Sequence, residues 1–415
     1  MELKRVVVTG LGALTPIGNT VAAFWQGLST GVSGASLITR FDPEPYKCKI
    51  ACEVKGFETS DFFDRKEGRT LDLFTQYGLV AADEAIADAG WTDDNIDRSR
   101  VGVIWGSGMG GVRSFQDEAM EFQRGGCVPR FSPFLIPRTI TDICAGYISI
   151  RHGLQGPNYA TTAACATSGV AIADAFNTIR LGKADAIIAG GSEAAVIEMG
   201  IGGFGVMRAL STRNDDPQTA SRPFDRDRDG FVLGEGAAAL VLEEYEHAKA
   251  RGAKIYAELT GYGLTADAHH ITAPHPDGRG AAMAMRLAVE ESEMSLNDVD
   301  HINTHGTSTP MGDIAESTGI ANLFGPHAKD IAINSTKSMT GHMLGAAGAA
   351  EAVATVLALY NGLVPPTINH FTDDPALPEL DYSFGKEAKQ RNIHFALSNA
   401  FGFGGHNVTL AFRKM

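Results

Sequence analysis

Short apolar, β-branched runs alternate with alanine-rich amphipathic stretches along most of this chain. KRVVVTGLG, RVGVIWGSG, ADAIIAGGSE, VDHINTHGT and KDIAINSTKS each read as a strand ending in glycine or hydroxyl residues. LVAADEAIADAG and AAMAMRLAVEESE read as helices between them. Alternation of this kind predicts an α/β fold with parallel sheets covered by helices. The order also repeats. GLVAADEAIADAGWTDDNIDRSRVGVIWGSG and AMRLAVEESEMSLNDVDHINTHGTS both read as helix, acidic loop, strand and polar turn. TTAACATSGVAIADAFNTIRLG and STKSMTGHMLGAAGAAEAVATVLALYNG both read as a polar turn followed by a small-residue helix. A duplicated architecture follows, with one half over residues 1–250 and the other over 251–415.

Duplication places Cys165 and His342 at equivalent positions near two helix N-termini. Sites in open α/β sheets form outside the carboxyl ends of strands, so strand-terminal His305 converges on the same place. A helix N-terminus lowers a thiol's pKa and offers backbone N–H groups to an oxyanion. Cys165 is therefore a candidate nucleophile, expected to ionise readily, and the glycine-rich FGFGG segment can supply a second oxyanion donor. HGTSTPMGD, with one histidine and three hydroxyl or small polar positions after a strand, suits a polar ligand arm.

Composition narrows the classes. A length of 415 residues allows two or three domains. The 48 glycines fall in short clusters, which suggests tight turns and close backbone approach. A net charge of −14 argues against general binding to nucleic acid or anionic membranes. No apolar run is expected to span a bilayer, and MELKRVVVTG reads as a first strand rather than a leader. Five cysteines, an odd number, suggest free thiols in the cytoplasm.

Several motifs imitate other chemistry. VVVTGLGALTPIG approaches a dinucleotide fingerprint, but Pro16 stands at its last glycine. DRDRDGFVLGEG approaches a calcium loop, but Gly236 stands where the bidentate glutamate belongs, so a salt-bridged turn is expected. HINTH spaces His301 and His305 like a zinc helix, yet within a strand. Cys48 and Cys52 have no companion pair. No catalytic metal is expected.

The ordered series VVVTGLGALTPIGN, GSGMGG, AACATSG, GGFGVMRALSTRND, DRDGFVLGEGA, HGTSTPMGD, NSTKSMTGHMLGAAG and SNAFGFGG resembles the β-ketoacyl-[acyl-carrier-protein] synthases over essentially the whole length. The resemblance implies the thiolase fold, two related α/β halves in a five-layered α-β-α-β-α arrangement, paired as a homodimer. It implies that Cys165 accepts the acyl group, that His305 and His342 complete a Cys–His–His triad, and that buried Lys337 supports them. Phe401 matches the phenylalanine whose N–H joins that of Cys165 in the oxyanion hole and whose ring gates the acyl channel. Thr307 and Thr309 match residues that bond the phosphopantetheine arm. His270, Thr272 and Phe403 line its approach, and Met109 stands where chain length is limited at the dimer interface. No cofactor of the protein's own is implied; phosphopantetheine arrives on acyl-carrying and malonyl-carrying forms of acyl carrier protein. Lys66, Arg69, Arg130 and Arg208 match a basic patch at the tunnel mouth for that acidic partner. The implied reaction is a decarboxylative Claisen condensation, with a polyketide-type ketosynthase or a synthase I-like elongase of the same fold as the alternative. His406, where the family commonly has threonine, is a departure.

Overall fold

A computed structural model describes residues 3–415. Its centre is a ten-stranded sheet built from β1 (Val6–Leu14), β2 (Val101–Gly106), β3 (Asn158–Thr161), β4 (Ala186–Glu193), β5 (Gly236–Glu244), β6 (Ala257–Ala266), β7 (His301–Asn303), β8 (Ala332–Asn334), β9 (Phe395–Gly402) and β10 (His406–Arg413). The spatial order is β8-β7-β9-β10-β6-β1-β5-β4-β2-β3. Outward from the central β1–β6 pair, one side reads β1, β5, β4, β2, β3 and the other β6, β10, β9, β7, β8. The same path is thus drawn twice. The expectation of parallel sheets holds only for the outer strands. β4, β2 and β3 run parallel, as do β9, β7 and β8, but β1, β5, β6 and β10 pair antiparallel with their neighbours. The reason is local: β4 and β5, and again β9 and β10, return beside each other in opposite directions instead of crossing over.

Helices α1 (Leu73–Ala89) and α2 (Ile143–His152) cover the outer face of the first half. α3 (Thr167–Arg180) and α7 (Ala347–Asn361) lie in the middle, packed against each other and against strands of both halves. α4 (Arg279–Glu291) and α5 (Pro310–Phe324) cover the second half. The result is five layers, α-β-α-β-α. With helices on both faces, β1, β4 and β5 are buried at every position, so they read as unbroken apolar runs.

The duplication extends to contacts. β1 carries Thr9-Gly10-Leu11-Gly12 and β6 carries Thr260-Gly261-Tyr262-Gly263. A Cβ on Gly12 would stand 1.8 Å from the Ala81 carbonyl oxygen of α1, and one on Gly263 would stand 1.9 Å from that of Ala284 in α4. Bare backbone at both places lets a helix lie directly on its strand.

One expectation is corrected here. Leu344–Asn361 is long and apolar enough to cross a membrane by length and composition, but it is the central helix α7 with its lead-in turn, buried between the two halves. All five cysteines are unpaired, and only Cys127 is exposed.

Candidate active site

Cys165 stands on a strained turn between β3 and α3, two residues ahead of the first helical residue. Ala164 before it has φ at 49°, a left-handed conformation that costs alanine energy and persists only when its surroundings enforce it. Thr167 does so. Its Oγ1 accepts the Ala163 N–H at 2.8 Å and donates to the Ala164 carbonyl at 2.6 Å. The thiol, 8% exposed, lines a cavity of about 390 Å³.

His305 and His342 line the same cavity, their rings 5.3 Å apart and nearly perpendicular. They arrive from different elements. His305 follows β7; its N–H and that of Gly306 are held by the two carboxylate oxygens of Glu316 on α5, at 2.9 and 2.8 Å. His342 sits between α6 (Lys337–Thr340) and α7. Its backbone is clamped to the segment before β5, donating to Val232 at 2.8 Å and accepting from Gly234 at 2.9 Å. Lys337 is fully buried and paired with Glu351 of α7.

Electrostatics separate the groups. Burial, joined by the Lys337 ammonium, holds both imidazoles well below the usual histidine range, so both are neutral. Both Nδ1 atoms are buried without a partner. A bare ring nitrogen is better tolerated there than an unpaired N–H, which places the protons on Nε2. Burial pushes the Cys165 thiol up to about 12, against Lys337 and a backbone N–H that favour the thiolate. The readily ionised cysteine expected from the helix N-terminus is therefore corrected: desolvation outweighs the favourable charges.

A second correction concerns the oxyanion donor. The backbone N–H that reaches Cys165 belongs to Phe403, not Phe401. Phe401 is still inside β9, paired opposite Asn407 of β10. Phe403 lies in the turn beyond, where Gly404 donates to Ile271 and Gly405 to Gly402. A Cβ on Gly402 would fall 2.6 Å from the Ala163 carbonyl and 3.0 Å from the Cys165 nitrogen, so glycine is what lets this turn close on the nucleophile. Phe401 still lines the cavity, its ring 5.8 Å from that of His305.

Thr307, Thr309, Thr272 and Phe403 line the cavity, and the Thr307 and Thr309 hydroxyls bond each other at 2.9 Å. His270 does not line it; its Nδ1 accepts the N–H groups of Thr272 and Ala273 and so shapes the turn. Met109 is also outside the lining, partly exposed, with its N–H on Glu193. Of the four cations expected at the mouth, only Arg208 lines the cavity. Arg130 lines a separate groove with Arg124 and Arg138, and Lys66 lies within the short helix Arg65–Gly68 that Arg69 caps, away from both linings. The calcium-like segment is a bridged turn: Asp225 accepts the N–H groups of Phe371 and Thr372, and Arg228 bridges Asp313 at 3.4 Å and Asp374 at 2.7 Å. His301 lies in β7 with Nδ1 on the Ala332 carbonyl at 2.8 Å.

Two positioning carboxylates escaped the sequence reading. Glu351 left a signal, being the only charge in the helix AGAAEAVATVLALYN, fourteen residues after a lysine that needs a partner. Glu316 left none; nothing in its neighbourhood announces that it faces inward toward His305.

Comparison with known proteins bears on this arrangement. The family model described as the β-ketoacyl synthase N-terminal domain matches residues 3–248, and the C-terminal domain model matches residues 256–371. The chain is 50% identical over 414 residues to 3-oxoacyl-[acyl-carrier-protein] synthase 2 of Synechocystis sp., covering 100% of this chain and 99% of that one. It is 49% identical over 411 residues to the protein of the same name in Staphylococcus aureus, covering 99% and 98%. Among solved structures, the ishigamide ketosynthase/chain length factor aligns with a TM-score of 0.93 at 34% identity over 100% of both chains. A β-ketoacyl synthase from Burkholderia phymatum aligns at 0.91 with 37% identity, covering 99% of this chain and 100% of that one.

Proposed function

The chain belongs to the β-ketoacyl synthase family, and from that premise we propose how its own residues carry out a 3-oxoacyl-[acyl-carrier-protein] synthase reaction. The enzyme is an acyltransferase that forms a carbon–carbon bond, lengthening an acyl chain by two carbons. The observation that carries the residue assignment is the convergence of Cys165, His305 and His342 on one cavity, with the Phe403 N–H at the thiol.

Cys165 Sγ attacks the carbonyl of an acyl thioester. The Sγ–acyl bond forms, the carrier's C–S bond breaks, and the departing carrier sulfur takes up the thiol proton. The carbonyl oxygen is held by the N–H groups of Cys165 and Phe403 while it carries negative charge. Malonyl thioester then enters. Loss of CO2 leaves an enolate, whose oxygen receives the Nε2–H groups of His305 and His342. Neutral imidazoles suit this role, because each donates without first having to lose a proton. The enolate carbon attacks the acyl-Cys165 carbonyl, the carbon–Sγ bond breaks, and Sγ leaves as a thiolate that takes a proton from solvent to restore the thiol. Lys337, balanced by Glu351, supplies fixed positive charge behind the site.

The carrier is an acyl carrier protein, whose pantetheine arm passes Thr307, Thr309 and Thr272 on the way to Cys165. Arg208 at the cavity is the cation best placed to meet its acidic surface. The chain needs no cofactor of its own for these steps. Two copies pair along β3, the sheet edge that carries exposed Tyr159 beside exposed Ile150 of α2. The free thiols suit the reducing cytoplasm.

The test is a condensation assay with malonyl carrier protein and acyl carrier proteins from short to long chains, read by mass spectrometry. β-Ketoacyl products two carbons longer than the primer are expected. Acylated Cys165 with no extended product from any primer overturns the reading.

A further inference from the structure

Glu193 ends β4 and is fully buried, yet no cation pairs with it among the described residues. Four donors converge on its carboxylate instead. Oε1 accepts the Ser107 hydroxyl at 3.0 Å and the Met109 N–H at 3.1 Å. Oε2 accepts the Gly108 N–H at 2.8 Å and the Gly345 N–H at 3.0 Å. The first three donors belong to the loop after β2 in the first half; the fourth belongs to the turn between His342 and α7 in the second. Contact there is close: a Cβ on Gly345 would lie 2.4 Å from the Gly108 nitrogen and 2.7 Å from Oε2.

The neighbour of that fourth donor is Leu344. It lines the cavity and belongs to the same apolar cluster as Cys165, together with Phe231 and Val196 and with Phe204 packed on it. Its φ of 48° is left-handed, which a leucine holds only against restraint. The bond from the next N–H to Glu193 is such a restraint.

We propose that Glu193 is a positioning residue for the acylation step: it ties the Ser107–Met109 loop to the Leu344–Gly345 turn and thereby holds the Leu344 side chain out of the apolar channel that an acyl chain enters beside Cys165. The proposal deepens the condensation reading and rests on it. In the Glu193→Gln variant one acceptor becomes an NH2 group. With the amide oxygen on the Gly108 and Gly345 N–H groups, the NH2 meets the Ser107 hydroxyl and faces the Met109 N–H. The bond to Gly345 loses its charge assistance, the turn is held less tightly, and Leu344 is freer to relax out of its left-handed conformation into the channel.

The experiment measures single-turnover acylation of Cys165 by short-chain and long-chain acyl carrier proteins, and CO2 release from malonyl carrier protein, on the full-length protein. For Glu193→Gln, long-chain acylation is expected to slow about tenfold or more relative to short-chain acylation, the loss of roughly one charge-assisted hydrogen bond. CO2 release, which needs the histidines and not the acyl channel, is expected to stay within about twofold of the parent. Adding Leu344→Ala is expected to restore long-chain acylation, which relief of general instability would not. An unchanged ratio of long-chain to short-chain rates, or a loss equal across all chain lengths and CO2 release, overturns the proposal. Should Glu193→Gln not fold, Ser107→Ala removes one donor to Glu193 and leaves the three N–H bonds to it, while freeing the Gly110 N–H that the Ser107 hydroxyl accepts at 2.9 Å. The same shift at smaller size supports the proposal, and its absence overturns it. Absence of condensation by the parent protein would instead sink the underlying reading, so the two failures are distinct.

Discussion

At Cys165 opposing effects meet. The helix end, the Phe403 N–H and Lys337 favour a thiolate, while burial and the carboxylates of Glu193 and Glu351 oppose it, and the outcome is a thiol pushed up to about 12. A proton must therefore leave sulfur as the acyl group arrives. The acylation rate is expected to rise with pH from about 6 to 9, close to tenfold per unit and without a plateau, because the thiolate fraction grows throughout that range. No acid limb from His305 or His342 is expected in the same window, since both already stay neutral well below the usual histidine range. A plateau near neutrality in a pH profile of single-turnover acylation would show that the thiol ionises far more easily than this. The division of labour gives a second outcome. Cys165→Ala is expected to accept no acyl group, as read by intact-protein mass spectrometry, yet to go on releasing CO2 from malonyl carrier protein, because the proposed mechanism gives the enolate oxygen to the histidines. Loss of both activities in a folded variant would mean that the thiol takes part in decarboxylation. Lys337 entered only through the family resemblance, whereas the meeting of Cys165, His305 and His342 in one cavity was legible in the sequence through the repeat and the strand-end rule. The choice between Phe401 and Phe403 was not. FGFGG offers two phenylalanines two residues apart, and only the end of the β9–β10 ladder decides which N–H is free to turn to the nucleophile.

Among the elements, the paired glycines of β1 and β6 have the clearest cost. Gly12→Ala drives a methyl group against the Ala81 carbonyl, and Gly263→Ala does the same at Ala284. Each is expected to lower stability by about 1–3 kcal/mol through overpacking. The sites lie in different halves against different helices, so the double variant should lose close to the sum in denaturant titrations. A neutral result at either site would mean that helix and strand separate cheaply there. The strands and the helices bearing the chemistry were readable from hydrophobic periodicity, and so was their repetition. The direction in which strands run was not, since apolar runs buried on both faces look alike whether the neighbour is parallel or antiparallel. The T-G-x-G shared by β1 and β6 is a further mark of duplication that the sequence reading did not use, and it is written where two helices come closest to the sheet.

The whole molecule is a sheet with two unlike ends. At one end, β8 is covered: the Ile333 N–H donates to the Asp381 carbonyl at 2.7 Å, and Ala332 bridges to Asp381. At the other, β3 has β2 on one side and no strand on the other, with Tyr159 39% and Ile150 79% exposed. On the proposed pairing along β3, Ile150→Glu is expected to shift sedimentation from two chains toward one, because it sets a charge on the apolar border of that edge. A variant that sediments as the parent does would place the pairing surface elsewhere. This large-scale feature was not legible in the sequence. Asp381 meets Ala332 and Ile333 of β8 from far along the chain, and no local pattern signals a cap supplied from so far away. The asymmetry also acts as a valence. A sheet with both ends free could add copies indefinitely and grow into a fibre, whereas this one has a single bond to offer. On the proposed pairing, two copies joined through β3 leave no further edge open to a third, and the Asp381 cap on β8 is what limits the assembly to two.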